Sequence, residues 1–252
     1  MSLHHEVTGT GPNVLLVSGL NGRTKFWAPV VDRLADRFTL ATYDQRGCGR
    51  SPDDGAAWTI GTMAEDAAEV AKAAFGDAPY AVIGHSTGGA IAQLMAVSDR
   101  GGPHCTVLSG TLARADAYFE ELLQLRLSLL DRAPDLDPIL SNLLRCDPAE
   151  FSTGGTAIAL DTDVTIRRIR ALLGHRGYEL TERWDIPALV VAAEDDRIVP
   201  PHLSRALAEL IPTARFELRR DGGHFFPQTR TDWFCEIVGD WMVSLDPTAR
   251  SR

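Results

Sequence analysis

Long apolar runs are missing from this 252-residue sequence: none approaches the roughly 18–20 residues that a membrane-spanning helix needs. Cysteine is sparse. Cys48, Cys105, Cys146 and Cys235 lie far apart and form no Cys-x-x-Cys pair, which argues against a disulfide framework or zinc knuckle and fits free thiols in a reducing cytosol. Basic charge is in deficit, with 25 Lys and Arg against 34 Asp and Glu, a formal net charge of −9. Nucleic acids and anionic membranes select basic surfaces, so neither is an expected partner. The opening Met1-Ser2-Leu3-His4-His5-Glu6 has neither the basic nor the apolar region of a signal peptide, and a soluble cytoplasmic protein is expected. There is no repeat, low-complexity tract or linker, and no spaced His/Cys/Asp set of the kind that holds a metal. No cofactor or metal is expected. The expected partner is a small-molecule substrate; oligomeric state leaves no mark in the sequence.

What is present is an ordinary globular composition, 44% hydrophobic and 23% charged, at a length that suits one large domain or one domain with an insert. Short apolar strands are expected at Asn13–Val17, Phe38–Tyr43, Tyr80–Ile83, Cys105–Ser109, Pro187–Ala193 and Arg215–Leu218, after a strand-like lead. Helical patterns separate them, including an alanine-rich segment from Thr59, which serves as its cap, to Ala74. Such alternation implies right-handed crossovers and a mostly parallel sheet covered on both faces. From about Leu112 to Arg183 the pattern is helical without a convincing strand. That segment is expected to cap the strand ends, the alternative being extra helices packed on one flank. The expected division is a core of 1–111 and 184–252 with a helical cap of 112–183.

The chain is organised around Tyr80-Ala81-Val82-Ile83-Gly84-His85-Ser86-Thr87-Gly88-Gly89, a Gly-x-Ser-x-Gly pattern between a strand and a helix. By composition alone about one chain in ten of this length would contain that pattern, so its meaning depends on partners elsewhere. A serine on so tight a turn adopts an uncommon backbone conformation, and Gly84 and Gly88 remove Cβ atoms that would clash. The helix opening at Thr87 brings free N–H groups and a positive dipole end to the same place.

A nucleophilic serine needs a base, and the base needs a carboxylate. Loops at the carboxyl ends of strands share one crevice in such a sheet, so the partners should follow strands. His224 does, after Asp221-Gly222-Gly223, and is the expected base. His4 and His5 lie at the start, His104 precedes a strand, His175 lies in the helical segment and His202 opens a helix. His85 adjoins the serine but points away from it, as a packing residue of the turn. Glu194, Asp195 and Asp196 follow a strand and offer the carboxylate; Asp221 is read as a turn residue. The expected oxyanion donors are the Thr87 N–H and one from the loop after Asn13–Val17, either Leu20 or Asn21. Trp27, beside that loop, is a candidate to line the substrate pocket together with Asn21, the alternative for Trp27 being packing in the core.

Four motifs then stand in order: Gly84-His85-Ser86-Thr87-Gly88, Asp44-Gln45-Arg46-Gly47-Cys48-Gly49-Arg50-Ser51, Glu194-Asp195-Asp196-Arg197-Ile198-Val199-Pro200 and Asp221-Gly222-Gly223-His224. Together they resemble the α/β-hydrolase fold family over nearly the whole chain outside the cap. The resemblance implies a mostly parallel sheet with helices on both faces and a helical cap inserted after the sixth strand. It aligns Asp196 with the acid, His224 with the base and Leu20 with the oxyanion donor. Most relatives carry His-Gly before the oxyanion residue, where this chain has Ser18-Gly19. The Ser-Gly-Leu-Asn-Gly loop with Tyr-Asp-Gln-Arg-Gly is similar to the aminoacrylate hydrolases of pyrimidine breakdown and, more loosely, the 3-oxoadipate enol-lactonases, which act on small acidic catabolic molecules. The implied activity is hydrolysis of a small ester, lactone or amide/carbamate-like bond through an acyl-serine. The alternatives are C–C-bond hydrolysis or lyase chemistry on the same fold, and a small-molecule receptor that retains the triad. The cap arginines Arg114, Arg126, Arg145, Arg167, Arg168 and Arg170, and His175, are candidates to pair with a substrate carboxylate.

Overall fold

Residues 14–17 alternate sides so strictly that Val14 and Leu16 pack into one apolar cluster and Leu15 and Val17 into another. Both clusters are buried, so the strand reads as an unbroken apolar run, the mark of a sheet covered on both faces. The computed structural model describes residues 2–20, 22–98, 101–145, 147–151 and 161–245. Its strands are β1 (His5–Thr8), β2 (Asn13–Val17), β3 (Thr39–Tyr43), β4 (Tyr80–His85), β5 (Cys105–Ser109), β6 (Ala188–Ala193) and β7 (Ala214–Arg219). They form one sheet in the order β1-β3-β2-β4-β5-β6-β7. Only β1 runs antiparallel, against β3; the other five pairings are parallel.

The helices are α1 (Ala28–Leu34), α2 (Ile60–Phe75), α3 (Thr87–Ala96), α4 (Ala117–Arg132), α5 (Asp137–Arg145), α6 (Thr162–Leu173), α7 (Pro201–Leu210), α8 (Phe226–Thr229) and α9 (Thr231–Leu245). One face of the sheet carries residues of α2, α3, α4, α6 and α7; the other carries α1 and α9. The expected cap forms, Thr59 Oγ1 accepting from Thr62 N–H on α2, and Asp161 Oδ1 likewise accepts from Val164 N–H on α6.

Between β5 and β6 every described element is helical: α4, α5, α6 and short 3-10 turns. The insert therefore follows the fifth strand of this chain, not the sixth as expected. A single strand, β1, precedes β2 among the described residues, which makes the strand before the insert the fifth. The insert packs over the carboxyl ends of the strands. Tyr118 Oη donates to the Arg197 carbonyl after β6, Arg197 Nη2 donates to the Leu143 carbonyl, and Phe225 N–H donates to the Arg145 carbonyl. Among the described residues no helix is long and apolar enough to cross a membrane.

Candidate active site

The chain leaves β2 towards β3 on one side and returns to β4 on the other, so the crevice where the strand order reverses lies between the loops after β2 and β4. Ser86 stands on the second of these loops with φ 56° and ψ −121°, and among the described residues it alone has a positive φ without being glycine. Such a conformation is costly for a side-chain-bearing residue and persists only where the surroundings enforce it. Here Ser86 N–H donates to the Ser109 carbonyl at 2.8 Å and Thr111 Oγ1 donates to the Ser86 carbonyl at 2.8 Å. A Cβ on Gly84 would strike the Gly88 carbonyl, and one on Gly88 would strike the Val17 carbonyl. Both glycines are thus required by close approach of the backbone, as the sequence reading expected.

His224 Nε2 lies 3.0 Å from Ser86 Oγ, and His224 Nδ1 lies 2.7 Å from Asp196 Oδ2. All three are buried: Ser86 is 8% exposed, Asp196 4% and His224 3%. The other Asp196 oxygen accepts from Ile198 N–H at 2.9 Å and Val199 N–H at 2.8 Å, which fixes the carboxylate plane. The neighbouring acids have different tasks. Asp195 accepts from the N–H groups of Gly222 and Gly223, at 3.1 and 2.9 Å, and so ties down the loop that carries His224. Glu194 is exposed, and Asp221 pairs with Arg219 and Arg230 at the surface.

His85 points away from Ser86 Oγ into an aromatic stack. Its ring lies 4.9 Å from Phe26 at an interplanar angle of 16°, and its Nδ1 is 3.1 Å from Ser109 Oγ. Burial, and then the proximity of His224, hold its pKa well below the usual imidazole range, so it stays neutral. His175 is buried against Gln93 Oε1 at 3.1 Å, and burial holds it at about 4. His202 pairs with Asp116 at the surface.

The loop after β2 abuts the serine. A Cβ on Gly19 would stand 3.0 Å from Ser86 Cβ and 3.5 Å from its Oγ, so the peptide that ends in Leu20 N–H borders the hydroxyl. Thr87 opens α3, and its N–H belongs to the first helical turn, whose donors have no partner within the helix. Asn21 lies outside the described residues. Trp27 is not a pocket wall: it is fully buried between α1, α9 and the sheet, with its ring 6.4 Å from Phe234. One step along the 3-10 turn of Thr24–Trp27 swings the side chain by about 120°, and it is Phe26 that meets His85 and Phe225.

The Asp44 motif braces this floor. Asp44 accepts from Thr24 N–H and Arg50 N–H, both at 2.9 Å, and Gly49 (φ 54°) has no room for a Cβ against its carboxylate. Arg46 forms a buried two-point pair with Asp66 at 2.5 and 2.7 Å. Sequence reasoning missed how the loop after β2 is held. Gln45 Nε2 donates to the Ser18 carbonyl at 2.7 Å, while Arg168 of α6 donates to the Leu20 and Gly19 carbonyls and to Gln45 Oε1. Among the described residues no group of three or more His, Cys, Asp or Glu side chains is placed to hold a metal ion.

The hydrolase family model described as serine aminopeptidase, S33 (Hydrolase_4) matches residues 11–225. Relatives named "Putative carbamate hydrolase RutD" are similar over almost the whole chain. That of Azorhizobium caulinodans is 30% identical, covering 97% of this chain and 96% of its own, and that of Caulobacter sp. is 32% identical, covering 94% of each. Among solved structures, the enol-lactonase from Burkholderia xenovorans LB400 superposes with a TM-score of 0.84 at 22% identity, covering 96% of both chains. That identity speaks to the fold alone.

Proposed function

The chain belongs to the Hydrolase_4 family of α/β hydrolases, and from that premise we propose that it is a serine hydrolase that opens a small ester, lactone or amide/carbamate-like bond through an acyl-serine. The observation that carries the reading is the unbroken chain Asp196 Oδ2–His224–Ser86 Oγ, at 2.7 and 3.0 Å, ending on a serine in a strained backbone conformation. His224 takes the hydroxyl proton as Ser86 attacks the carbonyl. Asp196 holds the imidazole with its proton on Nδ1 and stabilises the imidazolium. The N–H groups of Leu20 and Thr87 receive the oxyanion, whose stabilisation is typically the largest single contribution to such a reaction. His224 then protonates the leaving group, and water releases the acyl group by the same route in reverse.

The relatives' name puts a carbamate among the substrates to test first. We assign recognition of a substrate carboxylate, where there is one, to Arg145. Its guanidinium lies 5.8 Å from the centre of the Phe225 ring, and that ring stands 5.8 Å from His224. Three of the other insert arginines are engaged elsewhere: Arg126 with Asp137, Arg167 with Asp53 and Arg168 with backbone carbonyls. The deciding experiment is Ser86→Ala assayed on activated esters and carbamates. Loss of turnover is expected, and full activity would end the reading.

A further inference from the structure

Arg168 is an arginine with no exposed surface whose Nε and Nη2 donate to two backbone carbonyls and a glutamine oxygen rather than to an acid, while its buried Nη1 has no hydrogen-bond partner among the described residues. Its Nε donates to the Leu20 carbonyl at 2.7 Å, and its Nη2 donates to the Gly19 carbonyl at 3.1 Å and to Gln45 Oε1 at 2.5 Å. Gln45 passes its own Nε2–H to the Ser18 carbonyl at 2.7 Å. Three consecutive carbonyls, Ser18, Gly19 and Leu20, therefore receive hydrogen bonds from two side chains that are bonded to each other. A trans peptide is planar, with its C=O and N–H on opposite edges. Fixing the Gly19 carbonyl from one side, through Arg168 and through Gly22 N–H at 3.0 Å, fixes the direction of the Leu20 N–H on the other. This peptide borders Ser86.

We propose that Arg168 is a positioning residue that reaches from helix α6 of the insert and, by its direct hydrogen bonds to the Gly19 and Leu20 carbonyls, orients the Leu20 N–H for the developing oxyanion. With Gln45 it braces the loop over three consecutive carbonyls, those of Ser18, Gly19 and Leu20. The inference rests on the serine-hydrolase reading for its catalytic consequence, though not for its structural one. Arg168 sits 148 residues from Leu20 in the chain, so the brace on this loop comes from the insert. Its neighbour Arg167 docks the same helix elsewhere, donating to Asp53 at 2.9 Å and to the Ala56 carbonyl at 3.0 Å, with its guanidinium 4.1 Å from the Trp58 ring centre. Arg167 is therefore an internal control: it holds the helix without touching the loop of Ser18–Leu20.

The test compares Arg168→Met, Arg168→Lys and Arg167→Met with the parent protein. On an activated ester, Arg168→Met is expected to lower kcat by about 10²-fold, the usual cost of losing one oxyanion donor, with KM within about threefold. Arg168→Lys, which keeps one cationic donor, is expected to fall between, and Arg167→Met to stay within about twofold in kcat. Amide hydrogen exchange at Gly22 and Gln45, whose N–H groups close this loop, is expected to quicken by about tenfold or more in Arg168→Lys and Arg168→Met. Parental kcat in Arg168→Met, or an equal loss in Arg167→Met, would overturn the assignment. So would unchanged exchange in Arg168→Lys, the variant read if Arg168→Met does not fold. Exchange needs no turnover, so a failure of the hydrolase reading would appear in Ser86→Ala while leaving the loop measurement standing.

Discussion

The imidazole rings of His85 and His224 face each other with centroids 4.8 Å apart and planes inclined at 43°. Two histidines this close share a field, and a charge on one opposes a charge on the other. In the proposed mechanism His224 becomes cationic as Ser86 attacks, which a neutral His85 favours, and burial and the neighbouring His224 hold the His85 pKa low. The acid limb of kcat/KM against pH is therefore expected to have unit slope, from protonation of one imidazole. A slope of two, measured from about pH 4.5 to 8, would show that His85 takes up a proton as well.

Burial of His175 makes stability depend on pH with a definite sign. Its folded-state value of about 4 lies below the unfolded imidazole value of about 6.5. The unfolded chain thus binds the extra proton between those limits, and the stability present above about pH 6.5 is lost as pH falls towards 4. The loss at this site is on the order of 3 kcal/mol. Thermal unfolding followed from pH 7 to 4 is expected to show Tm falling, and His175→Gln is expected to flatten that fall. A variant curve parallel to the parent's would refute this.

Asp196→Asn is expected to preserve the fold, since an amide oxygen can still accept from Ile198 and Val199 N–H. It offers His224 Nδ1 a neutral partner and favours the wrong tautomer. The expected loss in kcat is about 10⁴-fold, the drop that the same change causes in the template Ser-His-Asp protease, with Tm near the parent's. Asp195→Asn is the informative contrast, because that side chain anchors the Gly222 and Gly223 amides and does not reach His224 by a direct bond. Its expected effect on kcat is much smaller.

If Arg145 reads a carboxylate, Arg145→Met should raise KM for a carboxylate-bearing ester by about tenfold or more, since a hydrogen bond to a charged group is worth about 1.5–3 kcal/mol. KM for the matching methyl ester should not move. Equal shifts for the two substrates in paired steady-state assays would assign Arg145 to packing on Phe225.

Local signals were legible in the sequence because each arises within a few residues. The collision that demands Gly84 and Gly88, the Thr59 cap and the unbroken apolar strands are of this kind. The choice of Asp196 over Asp195 was not, since adjacent residues at a strand end turn to different neighbours and only the folded loop shows which one meets His224. Whether Trp27 lines the pocket or packs in the core was open for the same reason: a one-residue step in a 3-10 turn decides which of Phe26 and Trp27 enters the core. Arg168 was indistinguishable from its neighbours in the insert, because nothing local marks a donor whose acceptors lie 148 residues away. The strand count before the insert followed the resemblance, whereas a single strand, β1, precedes β2 among the described residues.

The central claim is that Ser86 forms a covalent acyl intermediate. The direct measurement is rapid quenching of the protein during turnover of an activated ester, followed by mass spectrometry of the peptide that contains residue 86. The expected result is the acyl mass on Ser86 in the parent, its accumulation in His224→Ala only to the extent that acylation survives, and its absence in Ser86→Ala together with loss of turnover. Sustained turnover by Ser86→Ala, with no acylated peptide from the parent at any quench time, would contradict the account.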